Sequence, residues 1–518
     1  MTALWLLLIA CNGTPEDTGT EPQARDPRFD PVADALMADL QRNDAPAVSI
    51  AIYQGGDVVW AEGFGVTVAG GDVPVTADTL FQLGSTTKMF TSVAMLQGVD
   101  AGQYALDDDL LTLLPDLQAD DDDIPLWQGI NPHLLVSQQT GLADFVDWDE
   151  GDGTTLASVS LQTYPDSSPF MNPPDAFWNY SNPNFSYAGL IREVAEQRDF
   201  TDILHNDVFD ALGMPRTTMV RDDVAADGDY ALGSGFIIRP NGQPRQADVQ
   251  DLAAVPHSPF GRPAGVSTWT TPTELMQMAD FLMHGNSEVL SEGLRTAITE
   301  PHAPLLSTPD DTAYGYGIFV RPGLPLPSGY RPTPVWEHGG NTLQYTCAFY
   351  VLPELDYAVA ILSSGYATDF GDSLQAALEL APGLPEPVEA PGYTLDTARF
   401  ADHVGLYEGP PNIGDMVIAE QDGGLVWTLP ALDAVDYPYD NVLQAVSSDL
   451  FIGTIDGVGY DITFIGEPGE PSEYLRNRSF VGVRSEAPMR AIPSVTVPVE
   501  IPRQPLLGPQ RYREGQAF

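Results

Sequence analysis

Short runs rich in β-branched and aromatic residues occupy Ala47-Val-Ser-Ile-Ala-Ile-Tyr53 and Asp57-Val-Val-Trp-Ala-Glu-Gly-Phe64, on either side of Gly55-Gly56. Two such runs about a glycine pair predict a β-hairpin. Before them, residues 29–40 carry apolar positions at helical spacing. After them, a polar loop leads into Phe81-Gln-Leu-Gly-Ser85-Thr-Thr-Lys88, and Met89, Val93 and Leu96 then recur among good helix formers. That pattern predicts a helix over 88–97, with Ser85 near its N-terminus. Residues 105–170 are acidic and loop-rich. Helical patterns return around 186–198 and 273–284, strands at 316–320, 345–351 and 357–363, and a helix over 371–380. The pattern changes at Ala381: Pro382-Gly-Leu-Pro-Glu-Pro-Val-Glu-Ala-Pro391 has linker composition. Residues 396–486 then read as short alternating strands with Gly and Asp turns, a separate, mostly antiparallel β domain. No internal repeat is visible.

The two ends add boundaries. Leu4-Trp-Leu-Leu-Leu-Ile-Ala10 is too short to span a bilayer, which takes about 20 apolar residues, and reads as the apolar region of a secretory signal. Leu8-Ile-Ala-Cys11 resembles a bacterial lipobox, which implies lipidation at Cys11 and an exported, lipid-anchored protein, periplasmic or on the outer cell surface. The other reading is an incidental cysteine. The predicted organisation is a signal over 1–11, a polar tether over 12–28, a large main domain over 29–382, a linker over 383–395, the β domain over 396–486 and a Pro/Arg-rich tail over 487–518.

Composition excludes several partners. The net charge is −51, from 73 acidic against 22 basic residues, so nucleic acid and anionic membrane surfaces are poor partners. Hydrophobic residues at 43% and charged residues at 18% describe a globular chain. Both a salty milieu and a GC-rich genome fit the acid-rich balance. Neither a phosphate-binding glycine loop nor a zinc-type Cys/His spacing occurs, so no cofactor is implied. The consecutive Asp120 to Asp123 lack the spaced pattern of a calcium loop and read as solvated acid. Cys347, in the apolar Tyr345-Thr-Cys-Ala-Phe-Tyr-Val351, reads as a buried, inert thiol rather than a reactive one.

Of the 22 bases only one is lysine, Lys88. Arginine stays charged at any working pH, so a base that must exchange a proton cannot be arginine. Lys88 stands three residues after Ser85, and on a helix i and i+3 share a face. A serine hydroxyl is a poor nucleophile until a neighbour takes its proton. Two further motifs follow: Tyr180-Ser-Asn182, and His338-Gly339-Gly340 before Asn341. Tyr180 can relay protons if nearby cations lower its pKa, and Lys88 with a protonated His338 would supply them. Asn182 offers an amide to Lys88 or to a substrate carbonyl. The glycines after His338 allow close backbone approach and an N–H for an oxyanion. Singly, each has a bland reading: a core aromatic, a capping histidine, a turn. Their order and context point to one shared site.

These motifs resemble those of the serine β-lactamase-related family, which includes penicillin-binding D-alanyl-D-alanine peptidases and family VIII esterases. The resemblance extends over residues 29–382 through Leu106-Asp-Asp-Asp-Leu110, Pro132-His-Leu-Leu-Val-Ser-Gln-Gln-Thr-Gly-Leu142, Ala264-Gly-Val-Ser-Thr268 and Tyr314-Gly-Tyr-Gly317. His403-Val-Gly-Leu-Tyr407-Glu-Gly resembles the start of the lipocalin-like domain attached to such hydrolases. The resemblance implies an α/β (α+β) β-lactamase/transpeptidase-like fold: an antiparallel sheet flanked by helices, a helical subdomain, and a small antiparallel β-barrel-like domain after it. It implies Ser85 as the acylated nucleophile, Lys88 as general base or proton shuttle, Tyr180 as partner base and Asn182 as an orienting group. His338 replaces the lysine more usual in the third motif, and the backbone N–H groups of Ser85 and Asn341 would form the oxyanion hole.

Gly339 stands where these relatives carry a hydroxyl that meets a substrate carboxylate, and an unperturbed histidine is charged only below about pH 6.5. Weak carboxylate recognition therefore favours an esterase or amidase/peptidase on small ester, amide or peptide substrates over an efficient β-lactamase. The alternative is a non-catalytic, penicillin-binding-like binding or sensor lipoprotein, with the β domain as its working surface or as a cover for the cleft.

Overall fold

The computed structural model describes residues 25–145, 154–167, 169–238, 244–410 and 413–485. Cys11, the signal, most of the tether and the tail lie outside the described residues. The last residues assigned to the tether are docked: Arg25 donates from Nε to Glu62 Oε2 at 2.7 Å, and residues 27–29 form a 3-10 turn. Among the described residues no helix is long and apolar enough to cross a membrane.

An eight-stranded antiparallel sheet forms the first domain's centre. Its strands are β1 (Ala47–Gln54), β2 (Asp57–Gly65), β3 (Ala303–Pro304), β4 (Ala313–Tyr314), β5 (Phe319–Arg321), β6 (Val335–Asn341), β7 (Thr346–Leu352) and β8 (Tyr357–Ser363), in spatial order 2-1-8-7-6-5-4-3. The predicted hairpin is β1–β2, turning on Gly55 and Gly56, both at positive φ. Both faces of the sheet are buried, so β1 reads as an almost continuous apolar run instead of a clean alternation. Val48, Ile50 and Ile52 pack on one side with Leu36 and Leu374. Those two residues belong to α1 (Asp30–Arg42) and α5 (Gly371–Glu379). Ala47, Ala51 and Tyr53 face the larger core on the other side. That core takes in α2 (Lys88–Asp100), α3 (Asn182–Glu196) and α4 (Pro272–His284).

Two expectations shift. Residues 105–170 contain short helices at Leu110–Leu113, Ile124–Gln128 and Pro132–Val136, the last capped by Asn131 Oδ1 accepting from the Leu134 N–H at 2.9 Å. Pieces of four or five residues are below the length at which periodicity is readable. Of the strand expected at 316–320 only Phe319 and Val320 are extended, in β5, because Gly317 at φ 75° turns the chain between β4, which ends at Tyr314, and β5.

A closed barrel of eight antiparallel strands follows the linker: β9 (Gly405–Glu408), β10 (Met416–Gln421), β11 (Gly424–Thr428), β12 (Val442–Ala445), β13 (Leu450–Ile455), β14 (Val458–Ile465), β15 (Tyr474–Asn477) and β16 (Phe480–Ser485). Pairing of β9 with β16 closes it and removes any free edge. Tyr407, Trp427, Phe451 and Phe464 fill its interior. The β15–β16 hairpin docks on the first domain, where Val481 packs with Met171 and Phe177. The Phe177 and Tyr474 rings meet edge to face at 5.2 Å, and the Arg476 guanidinium lies 4.9 Å from the Trp178 ring centroid. The barrel thus grips the segment that ends in Tyr180.

Candidate active site

Ser85 lies in a single 3-10 turn, Gly84–Thr87, that runs directly into α2. With three residues per turn, i and i+3 eclipse, so Lys88 stands directly over Ser85. The turn begins from Gly84 at φ 61°, a conformation few residues other than glycine adopt. A Cβ there would also lie 2.6 Å from the Asn341 backbone N. Gly340 is as constrained, since its missing Cβ would fall on the Leu83 carbonyl oxygen. These two glycines bring β6 against the turn, and Ser85 and Asn341 line the same cleft.

Lys88 is fully buried and Ser85 keeps 6% exposure, so a ligand in the cleft reaches the hydroxyl and not the amine. Lys88 Nζ donates to Ser85 Oγ at 3.1 Å, to Asn182 Oδ1 at 2.7 Å and to the Ala264 carbonyl at 2.7 Å. It lies 4.9 Å from the Tyr180 ring centroid and 5.5 Å from that of Phe185. From the sequence, Asn182 has a choice between Lys88 and a substrate carbonyl. Its oxygen takes Lys88, while its Nδ2 and its backbone N–H both donate to Asp144 Oδ1 at 2.9 Å.

The segments that flank the motifs in sequence converge here. Ala264 supplies the carbonyl for Lys88. Gln138, held at φ 64°, accepts through Oε1 from the Ser181 N–H at 2.9 Å and from Asn184 Nδ2 at 2.6 Å, fixing the Tyr180–Asn182 stretch. Strained backbone of this kind persists where its surroundings over-determine it.

His338 departs from expectation. It is 2% exposed, its Nε2 pairs with the Tyr314 hydroxyl at 3.1 Å, and its Nδ1 contacts the Gly339 carbonyl. Burial, reinforced by the nearby Lys88 charge, pushes its pKa down to about 3. A protonated His338 beside Tyr180 is therefore corrected to a neutral ring, 6.4 Å from Tyr180 between centroids. It lies behind the cleft and not in its lining. Gly339 is the exposed residue of this strand segment, and Gly340 packs against the turn.

The cleft over Ser85 is narrow, about 40 Å³. Phe145, Phe260 and Val266 give it apolar walls, and Asn182, Ser186 and Asn341 add polar groups. None of its lining residues among those described is charged. A larger cavity of about 330 Å³ lies under the linker, bounded by Leu326, Tyr330 and Tyr393 among others. Its lining holds no nucleophile–base pair, so the smaller cleft is the candidate site.

The family described as Beta-lactamase matches residues 29–381. The chain belongs to the beta-lactamase family. Its members are hydrolases. Penicillin-binding protein 4 of Amycolatopsis lactamdurans is 25% identical over 382 residues, covering 72% of this chain and 95% of that protein. The octameric penicillin-binding protein homologue from Pyrococcus abyssi superposes with a TM-score of 0.59 at 19% identity, over 88% of this chain and 99% of that one. D-amino acid amidase from Ochrobactrum anthropi SV3, solved with L-phenylalanine amide, gives 0.54 at 20% identity, over 67% and 97%. The two structures share the fold.

Sequence reasoning missed two site residues. Asp144 follows the Thr140-Gly-Leu142 segment closely and holds Asn182. Arg478 comes from the barrel: its Nη2 donates to Asp144 Oδ2 at 2.6 Å and its Nε at 3.1 Å, and its guanidinium carbon lies 4.3 Å from the Tyr180 ring centroid. The only sequence hint is an arginine at the tip of a two-residue hairpin loop, where Asn or Gly is usual.

Proposed function

We propose that this protein is a serine hydrolase that works through an acyl-enzyme on Ser85, on uncharged ester or amide/peptide substrates in preference to β-lactams. The observation that carries the reading is the buried Lys88 amine bonded to Ser85 Oγ, Asn182 Oδ1 and the Ala264 carbonyl. Ser85 attacks the substrate carbonyl, and its proton passes to the Lys88–Tyr180 pair. The carbonyl oxygen takes up negative charge between the N–H groups of Ser85 and Asn341. The same pair returns the proton to the leaving group, and water then hydrolyses the ester on Ser85.

Substrate preference follows from charge. A neutral His338 and a glycine at 339 leave the third motif without a cation or a hydroxyl for a carboxylate. The cleft lining supplies no other charge. The similar D-amino acid amidase adds support for amide turnover. The Leu4–Cys11 segment supports an exported, lipid-anchored placement. A fluorophosphonate probe tests the chemistry: wild type labels and Ser85→Ala does not. Equal labelling of both, or none, would favour a binding protein. Nitrocefin turnover matching that of p-nitrophenyl acetate would contradict the preference for uncharged substrates.

A further inference from the structure

We infer that Arg478, carried to the first domain on a hairpin tip of the barrel, is the second cation of the proton-transfer site and the positioning residue for Tyr180. The inference rests on Ser85, Lys88 and Tyr180 acting as proposed above. It gives the barrel a role beyond covering the cleft: the site is incomplete without it.

A tyrosine accepts a serine proton only as phenolate, and a free phenol titrates near pH 10. Each cation within about 4–6 Å lowers such a pKa by about 1–3 units. Among the described residues, charged and titratable groups near Tyr180 come from several elements. Lys88 on α2 lies 4.9 Å from the ring centroid and Arg478 on the barrel 4.3 Å. His338 on β6 is neutral, with the Tyr314 hydroxyl behind it. Asp144, on the loop after Leu142, is a carboxylate engaged by Arg478. The first domain thus offers Tyr180 the Lys88 ammonium, and the barrel brings the Arg478 guanidinium.

The same arginine organises the rest of the site. Asp144 receives Arg478 on Oδ2 and both Asn182 donors on Oδ1, and Asn182 in turn accepts from Lys88. One chain of contacts therefore runs Arg478–Asp144–Asn182–Lys88–Ser85, from hairpin tip to nucleophile. Arg478 and Asp144 side chains are 17% and 20% exposed, partly withdrawn from the solvent that would screen them. The hairpin is held rigidly: Asn477 Oδ1 accepts from the Ser479 N–H at 2.8 Å, and Asn477 Nδ2 donates to the Asp461 carbonyl at 2.9 Å. The neighbouring Phe177–Tyr474 and Trp178–Arg476 contacts clamp the segment leading to Tyr180.

The test combines two pH titrations on the full chain: kcat/KM on p-nitrophenyl acetate, and tyrosinate absorbance. Tyr180→Phe assigns the signal. Wild type should show one tyrosinate forming below about pH 9, with the rising limb of kcat/KM at the same pH. Arg478→Met and Arg478→Gln should move both upward by at least about one pH unit, and Arg478→Lys by less than about half of that. Thermal melting and fluorophosphonate labelling of Ser85 at high pH show that the variants are folded. A folded Met or Gln variant with an unmoved limb would overturn the inference, as would an equal shift in the Lys variant. If neither neutral variant folds, wild type decides, because absence of a low-titrating tyrosinate also overturns it. Failure of wild type to label at Ser85 sinks the proposed function itself, and this inference with it.

Discussion

Lys88→Arg separates charge from proton exchange. Arginine keeps a positive charge and cannot give its proton up at any working pH. At this position Nζ meets three acceptors, at 3.1, 2.7 and 2.7 Å, inside a fully buried pocket. A planar guanidinium is longer and cannot meet three acceptors spread around one tetrahedral nitrogen. Two effects follow. Overpacking costs about 1–3 kcal/mol of stability, visible as a lower melting temperature. Stopping proton exchange within the Lys88–Tyr180 pair, at the usual size of a general acid–base effect, costs about 10²–10⁴ in rate, and 100-fold corresponds to about 2.7 kcal/mol of barrier. The assay is the second-order rate of fluorophosphonate labelling at Ser85, with the burst of p-nitrophenol from an activated ester beside it. We expect labelling at least about 100-fold slower, well beyond what the packing change explains in a protein that still melts cooperatively. Labelling within roughly threefold of wild type, under about 1 kcal/mol, would refute the reasoning and leave Lys88 as a buried structural cation.

Three further outcomes are expected. Gly340→Ala should abolish Ser85 labelling and lower the melting temperature, because the added Cβ meets the rigid Leu83 carbonyl; a variant with wild-type labelling would show that β6 can retreat from the turn. His338 is held neutral with its pKa near 3. The unfolded chain binds a proton at this residue from about pH 6.5 downward while the folded chain does not. This contribution is therefore complete above pH 6.5 and is lost as pH falls towards 3, at up to about 1.4 kcal/mol per pH unit. Melting temperature measured from pH 7 to 4 should fall less steeply in His338→Gln than in wild type, and parallel curves would contradict a buried neutral ring. Cys347 is buried and its thiol is pushed up to about 12. In a Cys11→Ser background it should not react with an aromatic disulfide until the protein is unfolded, and prompt reaction would show that strand β7 opens readily.

What was legible in the sequence was local. The β1–β2 hairpin, the helix after Lys88 and the strands at 345–363 each carry a pattern over seven or more residues. Ser85 and Lys88 were found because only one lysine exists and three residues separate it from a serine. Strands β3 to β5, at two or three residues, are held by their neighbours in the sheet and have no pattern of their own. His338 could be located but not assigned a charge, since its neutrality comes from burial beneath Tyr314 and Lys88, which lie far away in sequence. Asp144 and Arg478, 334 residues apart, meet only because the barrel docks on the first domain. No spacing rule reaches across a docking surface, so the residues that join the two domains at the site were the ones a reading of motifs left out.

The central claim is a covalent intermediate on Ser85. Acid-quenched mass spectrometry after mixing the full chain with an ester, a β-lactam and a D-alanyl-D-alanine peptide tests it most directly. The account predicts an acyl adduct on the peptide that contains Ser85, abundant with the ester, and absent in Ser85→Ala. No adduct with any of the three compounds, or one on another residue, would contradict it.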